Sequence, residues 1–241
     1  MTIQLVSYQY RKTEAKRQEY TAQIINASAA DLILFPGHTL LYKKDIVELA
    51  KHLNNNKVCA VIETKEGGNH PYLLDGGKIK DLRTSQWFAT SKQIARDKML
   101  CEEFLDELDS KRILEVNGVR CLLLQCGENN ILKNYQSDGN RAAFRFDNMP
   151  QLRERFEAIL SSVQIILNPA HTPMGNQGKL AKRRQLLSAD GRAYFFTCNA
   201  SDKHGNILAK SMQYAVVDGI QQDSEAVLSD DGGYVCRTFQ F

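Results

Sequence analysis

No two of the six cysteines (Cys59, Cys101, Cys121, Cys126, Cys198 and Cys236) stand in a CxxC arrangement. This argues against a zinc site and, in a reducing compartment, against a disulfide framework; most of the six read as small buried hydrophobes. No window approaches the roughly 18 uninterrupted apolar residues of a membrane span. The opening MTIQLVSYQYRKTEAK also lacks the apolar region of a secretory signal. A soluble, cytoplasmic protein without membrane partners is therefore expected. Neither sign of charge dominates, with 31 Lys and Arg against 28 Asp and Glu and a net charge of +3, so the chain has no electrostatic footprint for nucleic acid. The densest basic run, KLAKRR at 179–184, reads as a solvated helix face. No repeat, low-complexity linker or Pro/Gly-rich boundary interrupts the 241 residues, and a single domain spanning 1–241 is expected.

What is present is an alternation of strands and helices with hairpins among them. TIQLVSYQ (2–9) reads as a strand and the polar segment 11–28 as an amphipathic helix. DLILF, KVCAVIET, VQIILNPA and AYFFTCNAS are short continuous apolar runs of the kind found in buried strands. Hairpins are expected around Asp75-Gly76-Gly77 and Asn117-Gly118. DIVELAKHLN, MPQLRERFEAILSS and GKLAKRRQLLSADG suit helices, and 92–108 a loop leading into one. AVVDGI and GYVCRTFQF are strand-like. The pattern predicts an α/β fold of mixed sheets with helices outside.

Four apolar runs end in polar or small residues: LILFPGH, LLLQCGEN, IILNPAHTP and YFFTCNAS. In open α/β sheets ligands gather beyond the carboxyl ends of strands, so Cys126, Glu128, Asn168, His171 and Asn199 are candidates for a common site. Side-chain alternation along CLLLQC sends Cys121 and Cys126 to opposite faces. Cys121 reads as plain core. Cys126, at the strand end and followed by Gly127, can be exposed in a tight turn.

The order of these motifs resembles the nitrilase, or carbon–nitrogen hydrolase, superfamily. Its members share a strand ending in Phe-Pro-Glu, a lysine on a later loop, and an apolar strand ending in Cys-x-Glu or Cys-x-Asp. LILFPG and LLLQCGE resemble the first and third blocks. VQIILNPAHTP and GRAYFFTCNAS resemble later strands ending in Asn-Pro and in Asn, over roughly 2–210 in all. The resemblance implies a four-layer α-β-β-α sandwich and a Glu-Lys-Cys triad that cleaves a small-molecule amide or nitrile through a covalent intermediate. It implies no metal or other cofactor and a homo-oligomer, with a homodimer the expected form; the long C-terminal arm of many members is expected to be absent.

Carried over by position, the nucleophile is Cys126, the acid two residues later is Glu128, and the lysine is Lys92, with Arg96 and Lys98 close by. The catalytic glutamate falls on Gly37, where the family pattern is broken. The plainer readings are a buried strand cysteine for Cys126, a solvated loop lysine for Lys92 and a strand-ending turn for Asn168. His38 and His171 read first as hydrogen-bonded loop histidines, and Glu63 as a polar strand end. His38, Glu63 and Glu128 are the nearby substitutes for the missing base, and Glu128, Asn168, His38 and Glu63 the expected substrate contacts. Two readings follow: an amidohydrolase whose base has moved, or a pseudoenzyme serving as a ligand-binding or assembly module. In the second, the space vacated at Gly37 would hold a ligand. The polar segment 128–148 reads as a specificity loop or a partner surface.

Overall fold

Continuous apolar runs need cover on both faces, and here they find it by stacking two sheets between helices. The computed structural model describes residues 1–201 and 206–241. In chain order the elements are β1 (Thr2–Tyr8), α1 (Arg17–Ala27), β2 (Leu32–Leu34), α2 (Lys43–Lys51), β3 (Cys59–Thr64), α3 (Glu66–Asn69), β4 (His70–Asp75) and β5 (Lys78–Asp81). Then come α4 (Ser91–Ile94), α5 (Lys98–Lys111), β6 (Ile113–Val116), β7 (Val119–Leu123), β8 (Leu132–Tyr135), β9 (Arg141–Phe144) and α6 (Pro150–Ser161). The rest is β10 (Ile165–Ala170), α7 (Gln177–Leu187), β11 (Ala193–Cys198), β12 (Gln213–Val217), β13 (Ile220–Gln222), β14 (Ala226–Leu228) and β15 (Tyr234–Gln240).

The first sheet runs β14-β15-β1-β2-β3-β4-β5 and the second β13-β12-β11-β10-β7-β6. Each has a parallel centre, β1-β2-β3 and β7-β10-β11, with antiparallel strands at its flanks. Period-two alternation sorts the side chains into three cores. Leu5, Leu32 and Leu34 meet Cys121, Leu123 and Leu167 between the sheets. Val6, Ile33 and Phe35 point the other way, beneath Ile25 of α1 and Leu49 of α2. Leu122 and Ile166 pack on the opposite side against Phe104 of α5 and Phe156 of α6. The result is the expected four-layer α-β-β-α sandwich. No described helix is long and apolar enough to cross a membrane.

Two segments differ from the sequence pattern. The helix expected from residue 11 begins only at Arg17, after a 3-10 turn over Glu14–Lys16. Arg17 turns inward, 3% exposed, and its guanidinium donates to the carbonyls of His38 (2.9 Å) and Tyr10 (2.6 Å). A charge buried this way needs fixed acceptors, and they set where the helix starts. The polar segment 128–148 is not a free loop. A 3-10 turn over Cys126–Ile131 leads into the β8–β9 hairpin, whose Leu132 and Phe144 are buried in the outer core of the second sheet.

Candidate active site

The strand ends converge as expected, and among six cysteines only Cys126 is partly accessible. Burial pushes the thiols of Cys59, Cys101, Cys121 and Cys236 up to about 12, and that of Cys198 well above its ordinary value. Buried thiols of this kind are inert. Cys126 opens the 3-10 turn just beyond β7. The turn needs Gly127 because a Cβ there would lie 2.1 Å from the Ala89 carbonyl oxygen.

Two of the expected contacts, Glu128 and Asn168, and the expected catalytic lysine, Lys92, lie elsewhere. Glu128 is fully buried, and both of its oxygens are taken. Its Oε2 accepts from Arg112 Nη1 (2.9 Å) and Gln125 N (2.7 Å), and its Oε1 from Trp87 N (3.0 Å) and Arg112 Nη2 (3.2 Å). It therefore anchors the nucleophile turn from behind instead of meeting substrate. Burial raises its pKa, against the pull of Arg112 and the two backbone N–H groups. Glu128→Gln would set an NH2 group against these donors. We expect it to cost roughly 2–3 kcal/mol, read as a lowered denaturation midpoint. Asn168 is likewise 0% exposed, held by Asn129 Nδ2 (2.8 Å) and the Tyr194 hydroxyl (2.7 Å), and it cannot touch a ligand. Lys92 is exposed on α4 and does not line the cavity at Cys126, because the Thr90 capping box starts a helical turn that carries it outward.

The space above Gly37 is occupied. A Cβ built there would lie 2.3 Å from His171 Cδ2 and 2.9 Å from the carbonyl carbon of Ala170. The backbones touch here: Gly37 N donates to Ala170 O at 2.9 Å, and buried Asn199 donates to Gly37 O at 2.7 Å. The vacancy expected from the sequence is thus filled by an imidazole. His171 Nε2 lies 2.9 Å from Glu63 Oε1, and the imidazole is coupled electrostatically to Cys126 as well. Glu63, 1% exposed, also accepts from His38 N (2.9 Å) and Gln125 Nε2 (2.7 Å). Bonded on both oxygens and almost wholly buried, it holds His171 and does not face substrate. His38 sits in the left-handed region (φ 57°) and stacks on His171, with ring centroids 3.6 Å apart and planes at 17°. Its own Nε2 bonds to Asn69. The sequence pointed to His171 as a strand-end residue, but not as the partner of Cys126.

The two stacked histidines are shifted in opposite directions. Burial and the charge of His171 push His38 from 6.5 to about 4. Burial also acts to lower His171, but hydrogen bonds to Cys126 and Glu63 outweigh it and hold the imidazolium up to about 10. Burial raises Glu63, yet His171, Gln125 and the His38 N–H carry its pKa below the ordinary carboxylate value. The signs follow from proton uptake. Between 6.5 and about 4 the unfolded chain protonates at residue 38 before the folded one, so stability falls with falling pH. Between 6.5 and about 10 the folded chain keeps the proton on His171 that the unfolded chain loses, so stability present below 6.5 is lost as pH rises. Denaturation midpoints should show His38→Gln flattening the acid limb and His171→Gln the alkaline limb. Parallel curves for wild type and variants would refute both assignments.

His38, Glu63 and His171 also bring one donor atom each within 4.8 Å of one another, a set that a divalent cation could use. The rings are stacked nearly parallel and their Nε2 atoms are engaged by Glu63 and Asn69, so their in-plane lone pairs do not converge on one point. Next to Cys126 a cavity of about 420 Å³ opens, walled by Gly127, Asn130, Met174, Lys179, Leu180 and Arg183.

No family model matches the sequence, and no curated protein does. Solved structures do match the fold. A CN-hydrolase superfamily protein from Xanthomonas campestris, with an arsenic adduct in its active site, superposes with a TM-score of 0.56 at 11% identity over 100% of this chain and 90% of its own. An amidase mutant from Nesterenkonia sp., showing covalent addition of the acetamide moiety of fluoroacetamide at its active-site cysteine, gives 0.54 at 12% over 99% and 90%. A glutamine-dependent NAD(+) synthetase from Cytophaga hutchinsonii gives 0.54 at 9%, with 99% of this chain covering 42% of that one. At identities this low the likeness is one of architecture, and in architecture the chain has the fold of the carbon–nitrogen hydrolase superfamily.

Proposed function

We propose that this protein is a thiol hydrolase of carbon–nitrogen bonds in small amides, using a Cys126–His171–Glu63 relay in place of the Glu-Lys-Cys set of its fold relatives. The observation that carries this reading is His171, which fills the space where Gly37 has no side chain, bonds to Glu63 and is coupled electrostatically to Cys126. An imidazolium beside a sulfur favours the nucleophilic thiolate. The thiolate attacks the amide carbon. The oxyanion so formed is taken by the Cys126 and Gly127 backbone N–H groups, which open the 3-10 turn and have no acceptor among the described residues. His171 protonates the departing nitrogen, and the amine leaves behind a thioester. The now neutral His171 then takes a proton from water, which attacks the thioester. The acid departs and the proton on His171 again faces the thiolate. Glu63, buried and bonded on both oxygens, orients the ring and stabilises its charge throughout, a positioning role.

The experiment is mass spectrometry of the intact protein after fluoroacetamide, together with ammonia release from short amides and nitriles. A single adduct on Cys126, absent in Cys126→Ser, with slow or fast ammonia release, is the expected result. An unlabelled Cys126 and no turnover would sink the hydrolase reading and favour a binding module.

A further inference from the structure

The basic run 179–184 is not a uniformly solvated face. Lys182 is exposed, but Lys179 and Arg183 are half-buried and line the cavity that holds Cys126. They lie one turn apart on α7, where like charges repel. No carboxylate lines this cavity among the described residues. Arg183 spends three contacts on neutral oxygens: Nε on Asn134 Oδ1 (2.9 Å), and Nη1 on Asn129 O (3.1 Å) and Asn130 Oδ1 (3.0 Å). These bonds fix the guanidinium and leave Nη2 without an acceptor among the described residues. Lys179 Nζ has none either. A second half-buried guanidinium, Arg145, is bonded only to the carbonyls of Asn130 and Leu132 and adds to the positive field. Burial and the Arg145 charge lower Arg183 to about 10.

A held arginine and a lysine, facing one cavity with no acid of their own, form a site prepared for an anion. Met174, Pro173 and Leu180 supply apolar wall to the same cavity. We propose that the substrate is an amide bearing a carboxylate at its far end, which Lys179 and Arg183 hold while Cys126 meets the amide carbon. This rests on the amidase reading of the same cavity.

The test compares full-length protein on the amide-acids succinamate, glutaramate and adipamate with their methyl esters. A charge-pairing subsite should favour the best amide-acid over its ester by about tenfold or more in kcat/KM. That ratio should collapse to within about twofold in Lys179→Met. In Lys179→Glu it should invert towards amides carrying a terminal ammonium. Lys179 is half-exposed, so these variants fold even if an Arg183 substitution does not. A second arm needs no turnover: alkylation of Cys126 by chloroacetyl-β-alanine against its methyl ester. A labelling preference for the acid without hydrolysis of any amide would sustain the anion subsite while the hydrolase reading fails. Equal rates for acid and ester in wild type, or a preference that survives both Lys179 variants, overturns the proposal. So does a phosphonate analogue that outcompetes the carboxylate, since that assigns the cations to phosphorylated ligands.

Discussion

His171→Ala is expected to lower amide turnover about 10³-fold, in the middle of the range for loss of a general base. The loss should appear mainly in kcat, because the imidazole moves protons in both acylation and deacylation and does not bind the substrate's distal end. The same variant should change how Cys126 reacts with iodoacetamide. In the wild type the imidazolium persists to about pH 10, so its charge is beside the sulfur across the neutral range. Without it, alkylation at neutral pH should slow. Glu63→Gln is a useful companion. It keeps the side chain's shape and removes the charge opposite His171, so it should lower the alkaline limb of the pH–rate profile while leaving Cys126 alkylatable. A His171→Ala variant whose turnover stays within about tenfold of wild type would remove the imidazole from the mechanism.

Restoring the family's acid should not restore its chemistry. Gly37→Glu places a Cβ where His171 Cδ2 and the Ala170 carbonyl carbon already stand, at 2.3 and 2.9 Å. The imidazole must leave its place between Cys126 and Glu63, so activity is expected to fall by about as much as in His171→Ala. Overpacking of this kind adds a stability cost of about 1–3 kcal/mol. Even Gly37→Ala, which adds one carbon, should lower kcat strongly with little change in KM. The most instructive protein is the double variant Gly37→Glu/His171→Ala. Removing the ring frees part of the space that the new carboxylate needs. The double variant should then exceed Gly37→Glu in both stability and Cys126 reactivity, a non-additive pattern expected for residues that share one volume. Full activity in Gly37→Glu alone would mean that the ring and the acid do not compete.

Much of this was legible in the chain, and the rest failed for identifiable reasons. Central strands covered on both faces must be apolar throughout, so VQIILNPA and AYFFTCNAS announced themselves, and their polar ends marked where a site could lie. Cys126 stood out because it ends a strand before a glycine. The likeness to the carbon–nitrogen hydrolases located Gly37 as the odd residue, and with it the fold. His171 was hidden because its strand and that of Gly37 belong to different sheets; no spacing along the chain reveals which two strand ends meet when sheets dock. Glu128 misled because a carboxylate two residues after a nucleophile looks like a substrate ligand. Arg112, from the connection between α5 and β6, captures it in the interior. Lys92 misled because a lysine at roughly the right separation says nothing about which side of a helical turn it faces. The basic run misled in the opposite direction: three of its four charges, Lys179, Arg183 and Arg184, are turned inward by the helix that carries them.

The relay is divided between the two sheets. Glu63 closes a strand of the first, while Cys126 and His171 lie beyond strands of the second. The chain passes between these halves at 82–112 and at 223–225, and backbone bonds such as Gly37 N to Ala170 O join them beside the site, so a small displacement of one layer over the other would separate imidazole from carboxylate while the strand ladders within each sheet stay intact. Under the proposed relay, catalytic competence would serve as a gauge of interlayer alignment. Heating, pressure or a cavity-forming change such as Leu167→Ala in the inter-sheet core should extinguish activity before circular dichroism registers any loss of strand. Proteins that differ only in how their layers slide could then differ in rate while remaining indistinguishable in secondary structure.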